Sequence, residues 1–356
     1  MMMYKNVFKI LWVLLVSGAF SLAMAGSFPP GDSIAVKKIW DQGKHNAFTD
    51  LIRFNNQFYC AFREGLSHVG GKNSGKIRIL KSKEGEQWES VALLEIEDLD
   101  LRDAKLSITP RNQLMVTMAG AVFEEGLVQQ LFPMVSFSDK SGQRFSQPER
   151  AVIDPAVNPT KDWIWRVTWH KGVGYGIDYQ LKENGRDRSK LKKDAWLVYL
   201  LKTTDGKYFE KVSQLEVDSL PNEATIRVDE KDNMYVLVRR EAGDRMGVLA
   251  HSNYPYQQWN YNKLSLRLGG PNFLFLNKND IVMGTRLYED KTTTGILVTD
   301  RSGKVRKTIR LPSDGDTSYP GMLMYKNKLW VSYYSSHEGK SSIYLAQIPI
   351  RELEVK

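Results

Sequence analysis

The chain has one cysteine, Cys60, in 356 residues, so no internal disulfide can hold it together. Cys60 sits in the run Phe58-Tyr59-Cys60-Ala61-Phe62 and reads as a small buried hydrophobe rather than a nucleophile. Histidine is scarce as well. The five (His45, His68, His170, His251 and His337) lie far apart in the chain, with no His-x-x-His or Cys-His spacing, so spacing calls for no metal and no cofactor. Gly269-Gly270-Pro271 lacks the strand-loop-helix setting of a phosphate loop. No stretch rich in proline, glycine or serine divides the chain into parts. Concentrated charge is also rare: only residues 182–193 (KENGRDRSKLKK) form a basic run, which reads as a solvated loop between strands.

Long apolar runs are confined to the first residues. Lys5 and Lys9 precede an apolar core over 10–20, and Ala23-Met24-Ala25 follows it. That order predicts a cleavable export signal over 1–25 and a periplasmic or secreted mature chain over 26–356, with no stable membrane insertion. No cysteine follows the cleavage point, which argues against a lipid anchor there. Losing Lys5 and Lys9 takes the formal charge from +9 to +7. A mild, scattered excess on an exported chain argues against nucleic acid as a partner.

What the chain has is a repeated hairpin beat. Six short turn signals, near 56, 112, 172, 233, 279 and 327, each separate two strand-like runs, as in DLIRF-NNQ-FYCAF and GMLMY-KNK-LWVSY. A unit of about 50 residues cannot bury both faces of a small sheet alone, whereas a radial stack of such units can. The expected fold is all-β: a six-bladed β-propeller forming one domain over 26–356. The segment 36–40 is expected to complete the last blade beside 341–348.

A second signature marks the later hairpins. Ser82-Lys83-Glu84-Gly85-Glu86-Gln87-Trp88 and Thr203-Thr204-Asp205-Gly206-Lys207-Tyr208-Phe209 place a hydroxyl, an acid, a glycine and an aromatic in fixed order, with looser copies at 138–145 and 299–303. The acid and hydroxyl can bond turn amides, glycine supplies positive φ, and the aromatic packs between sheets. The pattern resembles the Asp-box repeat of the sialidase superfamily across nearly all of 26–356. The resemblance implies a glycan or oligosaccharide as partner.

In a propeller, the start of each first strand and the end of each second strand share one rim, and the Asp-box turns lie on the other. The shared rim is expected to gather Asp50, Arg63, Arg102, Asp103, Lys105, Trp165, Arg166, Asn272 and Tyr288, among others. Guanidinium forks suit carboxylates and aromatics suit sugar faces, so these read as substrate-binding groups. The family uses a tyrosine nucleophile activated by a glutamate, an aspartate acid/base, and three arginines on the substrate carboxylate. By resemblance, Tyr319 is the nucleophile, Glu223 its base, and Arg240 and Arg286 are two of the arginines. Arg239 and Arg240 point to opposite sides of a strand, and Arg240 is taken to face the axis. The first blade departs from the family. Ala47-Phe48-Thr49 stands where an arginine-bearing run is usual, and Arg63 is the candidate replacement. His68, or Glu64, occupies the place of the acid, with Asp50 or Asp103 as alternative carboxylates. The leading expectation is an exo-glycosidase acting on a terminal, acidic or deoxy sugar. Two alternatives stay open: a His68-dependent lyase or hydrolase on uronate-linked sugars, and a non-catalytic carbohydrate-binding propeller.

Overall fold

The computed structural model describes residues 34–69 and 75–355. The expected export signal lies outside them. Six antiparallel sheets follow one another along the chain. The first is His45–Phe54, Gln57–Gly65, Gly75–Ser82 and Glu89–Leu94, and the last is Thr317–Tyr325, Lys328–Ser335, Ser342–Pro349 and Ala35–Trp40. The last blade thus takes its outer strand from the start of the described chain, paired antiparallel to Ser342–Pro349 with Val36 opposite Ala346. A ring closed this way leaves no gap between first and last blade for an unpaired edge. The third blade carries a fifth strand, Val152–Ile153, parallel to Tyr208–Leu215. The fold is the expected six-bladed propeller.

The hairpin turns form where asparagine, aspartate or glycine tolerates a left-handed backbone. Asn55 and Asn56 have φ of 47° and 61°, and Lys326 and Asn327 have 48° and 56°, as two-residue turns between twisted strands require. On the same rim, where Phe58 pairs with Ser82, Gly85 donates to Ser82 Oγ at 2.9 Å, and Asp205 Oδ1 accepts from the amides of Lys207 and Tyr208 at 2.8 and 3.0 Å. The apolar core lies between blades, where residues of neighbours meet; the Phe58 and Trp330 rings lie 4.5 Å apart between centroids, tilted by 32°. Cys60 is fully buried there, and burial pushes its thiol far above the ordinary range. It acts as core.

Five of the six first strands carry the same irregularity. Ala47 pairs with Arg63 but Asp50 with Ala61, so three steps on one strand match two on the other. The same offset occurs at Arg102/Lys105, Ile164/Val167, Pro221/Ala224 and Ser318/Gly321. One extra residue bends the strand and re-aims its side chains. The bulges fall at Phe48, Asp103, Trp165, Glu223 and Tyr319, the rim ends of the inner strands.

Candidate active site

These bulges open onto a cleft of about 330 Å³ at the axis. Tyr319 and Glu223, from the sixth and fourth blades, meet in it: Tyr319 Oη donates to Glu223 Oε1 at 2.6 Å. Arg239 Nη1 donates to the same Oε1 at 2.7 Å and lies 3.3 Å from Tyr319 Oη. The Gly270 amide donates to Glu223 Oε2 at 2.8 Å. Gly270 has φ of 61°, and a Cβ there would stand 2.5 Å from Tyr319 Cγ, so only glycine allows this approach. Thr49 Oγ1 donates to the Tyr319 carbonyl at 2.8 Å, and Ser318 Oγ to the Gly269 carbonyl at 2.9 Å. Tyr319 itself has φ of 53°. A non-glycine residue held in that region reflects constraint from its surroundings.

Burial raises the Glu223 carboxyl, but the charge and hydrogen bond of Arg239, with bonds from Tyr319 and Gly270, outweigh it and leave the group below its ordinary value. Burial pushes the Tyr319 phenol well up, and the Glu223 charge adds to this against Arg239 and Arg286. At neutral pH the pair is therefore a protonated phenol facing a carboxylate that can take its proton as a bond forms. Arg286, from the fifth blade, is held by donation from Nε to the Thr317 carbonyl at 2.8 Å and from Nη2 to Tyr334 Oη at 3.2 Å. Asp103 is buried on the cleft wall. Burial raises its carboxyl, Arg102 and Lys105 oppose this, and Glu223 adds to it.

Several rim residues stand elsewhere than expected. Arg239 faces the axis and Arg240 does not. Arg240 points outward to Asp218 and Asp244 at 3.1 and 2.9 Å, because the bulge at Asn222-Glu223 sets Arg239 opposite Glu223. Arg63 does not reach the cleft either. It forks onto Asp100, Nε to Oδ1 at 2.7 Å and Nη2 to Oδ2 at 2.9 Å, so it is not the replacement arginine. Arg102 lines the cleft instead, its guanidinium 5.2 Å from the Phe48 ring centroid. Asp50 is no acid of the cleft: it accepts from Arg166 Nη1 at 2.8 Å and the Leu106 amide at 2.7 Å. Lys105, Trp165 and Arg166 form a buried layer behind Tyr319, with Lys105 Nζ 4.6 Å from the Trp165 ring centroid. Asn272 is a buried brace, donating to the Pro320 carbonyl at 2.9 Å. Tyr288 stacks under Arg267, 3.9 Å from its ring, outside the cleft lining.

Three groups escaped sequence reasoning as a set. His68 Nδ1 and His45 Nε2 both contact Asp316 Oδ2, at 2.8 and 3.0 Å. All three ligand-type atoms lie within 4.8 Å of one another, a cluster that spacing along the chain conceals because ring closure brings 45 and 316 together. Glu241 also belongs to the site: it pairs with Arg239, and with Arg188 of the 182–193 run at 2.9 Å. Arg186 and Arg188 line the cleft, so that run forms part of its wall. The aromatic pair Trp163 and Tyr179, stacked at 5.5 Å, completes the floor.

No protein-family model matches the chain, and no curated protein matches it in sequence. Solved structures do. A Dyadobacter fermentans protein described as of unknown function superposes with a TM-score of 0.73 at 18% identity, over 89% of this chain and 100% of that one. Trypanosoma rangeli sialidase in complex with sialic acid gives a TM-score of 0.69 at 9% identity, over 89% of this chain and 59% of the other. A Hadza microbial sialidase gives 0.67 at 13%, over 87% and 66%. This chain thus spans about three fifths of the trypanosomal sialidase's length and has the six-bladed propeller fold of the sialidases.

Proposed function

We propose that the protein is an exported exo-glycosidase that removes a terminal, acidic sugar from a glycan by double displacement. The 2.6 Å contact of Tyr319 Oη with Glu223 Oε1, in a cleft walled by Arg102, Arg239 and Arg286, carries this reading. The arginines take the sugar's carboxylate, and Phe48, Trp163 and Tyr179 cover its apolar faces. Tyr319 Oη attacks the anomeric carbon as its proton passes to Glu223, while the glycosidic bond breaks and the leaving oxygen takes a proton from His68. Water then attacks the same carbon, giving its proton to His68, and the bond to Tyr319 breaks as Glu223 returns the phenolic proton. The sum is glycoside plus water giving sugar plus alcohol.

Export rests on the pattern of residues 1–25. Among the described residues no helix is long and apolar enough to cross a membrane. The test is hydrolysis of 4-methylumbelliferyl glycosides of sialic acid, uronic acids and deoxy sugars, beside their native glycans. Trapping with a fluorinated glycoside should add one sugar mass to Tyr319. Turnover with no such adduct, and with full activity in Tyr319→Phe, would refute the nucleophile. One observation favours a second reading: the contact of His68 with Asp316 also suits proton abstraction next to a uronate carboxyl. A lyase of that kind would leave an unsaturated, ultraviolet-absorbing product and take up no water.

A further inference from the structure

His68 lies in the loop after Gln57–Gly65, His45 opens His45–Phe54, and Asp316 precedes Thr317–Tyr325. The Asp316 carboxylate is the hub. Oδ2 meets His68 Nδ1 at 2.8 Å and His45 Nε2 at 3.0 Å, and Oδ1 accepts from Tyr334 Oη at 2.7 Å. Its own amide donates to Ser336 Oγ at 2.9 Å, so the backbone is pinned too. His68 packs edge-on against Phe48 at 5.0 Å between centroids. Its side chain is 46% exposed where His45 is 12%, and it lines the same cleft as Tyr319 and Glu223. With Nδ1 committed to Asp316, Nε2 lies on the opposite edge of the ring, without a hydrogen-bond partner among the described residues.

We propose that Asp316, braced by His45 and Tyr334, is the positioning residue that makes His68 the proton donor and acceptor of this site. The inference rests on the glycosidase reading above. A carboxylate on Nδ1–H selects the tautomer whose Nε2 can accept, and it stabilises the imidazolium that donates. In the first step imidazolium Nε2–H passes its proton to the leaving oxygen. In the second, neutral Nε2 takes one from water, and the ring ends as it began. The charges that face the ring are Asp316, Asp103, His45 and Arg102, whose Nη2 donates to the His68 carbonyl at 3.1 Å, with Arg286 3.8 Å from Asp316. A zinc ion is the competing occupant of the three converging atoms. Hydrogen bonds already satisfy both Asp316 oxygens, and His45 Nδ1 is buried without a partner among the described residues, whereas a metal-bound imidazole anchors its second nitrogen.

The test uses the full chain and three variants, Asp316→Asn, Asp316→Ala and His68→Gln, each checked for an unchanged melting profile. On glycosides with poor leaving groups, Asp316→Asn and His68→Gln should each lower kcat at least 100-fold, against less than 10-fold for an activated aryl glycoside. Leaving-group dependence unchanged in Asp316→Asn would overturn the proposal. Long-range proton–nitrogen NMR reads the tautomer without any turnover. Neutral His68 should carry its proton on Nδ1 in the wild type and shift toward Nε2 in Asp316→Ala; a wild-type ring protonated on Nε2 overturns the positioning role. Stoichiometric zinc binding lost in Asp316→Asn would overturn it as well. Tyr319→Phe separates the two claims, since its full activity sinks the nucleophile and leaves the His68 tautomer untouched.

Discussion

Tyr319→Phe deletes one oxygen and keeps a ring that is only 8% exposed, so its packing survives. It should lower kcat by 100-fold or more with KM nearly unchanged, a loss confined to the transition state. The two neighbouring arginines should separate cleanly. Arg239→Met strips Glu223 of its ion-pair partner and Glu241 of one of its arginines and should cost kcat/KM at least 100-fold. Arg240→Met breaks pairs with Asp218 and Asp244, both partly exposed, and should cost about 1–2 kcal/mol of stability with activity retained. Urea titration and kinetics on both variants check this. Lys105 offers a pH test. Burial lowers its ammonium from 10.5 to about 8. Between those values the unfolded chain holds a proton that the folded chain has lost, so stability rises with pH across that window. The rise amounts to about 3 kcal/mol. Lys105→Met should remove this slope between pH 8 and 10.5. Equal slopes in variant and wild type would show that Lys105 titrates normally.

At the scale of the strand, the bulge is the device that builds the site. Glu223 and Tyr319 sit at equivalent bulges of their blades, and in the fifth blade Gly270 takes the corresponding place. Gly270→Ala puts a methyl carbon against the Tyr319 ring at a φ of 61°. It should cut kcat through displacement of Tyr319 by more than its stability loss of about 1–2 kcal/mol suggests. A crystal structure of the variant with the Tyr319–Glu223 contact intact would contradict this. The bulge also explains what the sequence could and could not disclose. Turn signals such as Asn55-Asn56 and Asn327 act locally, so the six hairpins were legible, and with them the positions of Glu223 and Tyr319. Strand parity was not legible past an extra residue, which is why Arg239 and not Arg240 faces the axis. Pairings across blades were hidden as well. Nothing near Arg63 marks Asp100 as its partner, and Asp316 stands in a connection with no hairpin signature of its own.

For the whole molecule, the decisive element is the outer strand of the last blade. Ala35–Trp40 pairs with Ser342–Pro349, so one blade is assembled from residues some 300 positions apart. Lys37 crosses to the first blade, its Nζ 2.7 Å from Glu86 Oε2, and Lys38 reaches Glu338 at 2.8 Å. These exposed pairs add little; the strand contributes through its ladder and through Trp40, whose ring packs 6.1 Å from Phe62. The same closure sets His45 beside Asp316 and holds Thr49 against the Tyr319 backbone. Stability and site geometry therefore share one seam. A chain beginning at residue 41 should lose on the order of 5 kcal/mol, counting the half-buried Ile34, Val36, Ile39 and Trp40 and the ladder. It should also expose Ser342–Pro349 as an open edge prone to self-association. The expected outcome is a lowered melting temperature with concentration-dependent aggregation and a site loosened at the His45–Asp316 contact. Adding the 35–40 peptide in trans should restore part of both. A truncated chain that melts like the full one, monomeric and active, would show that the ring holds without its seam.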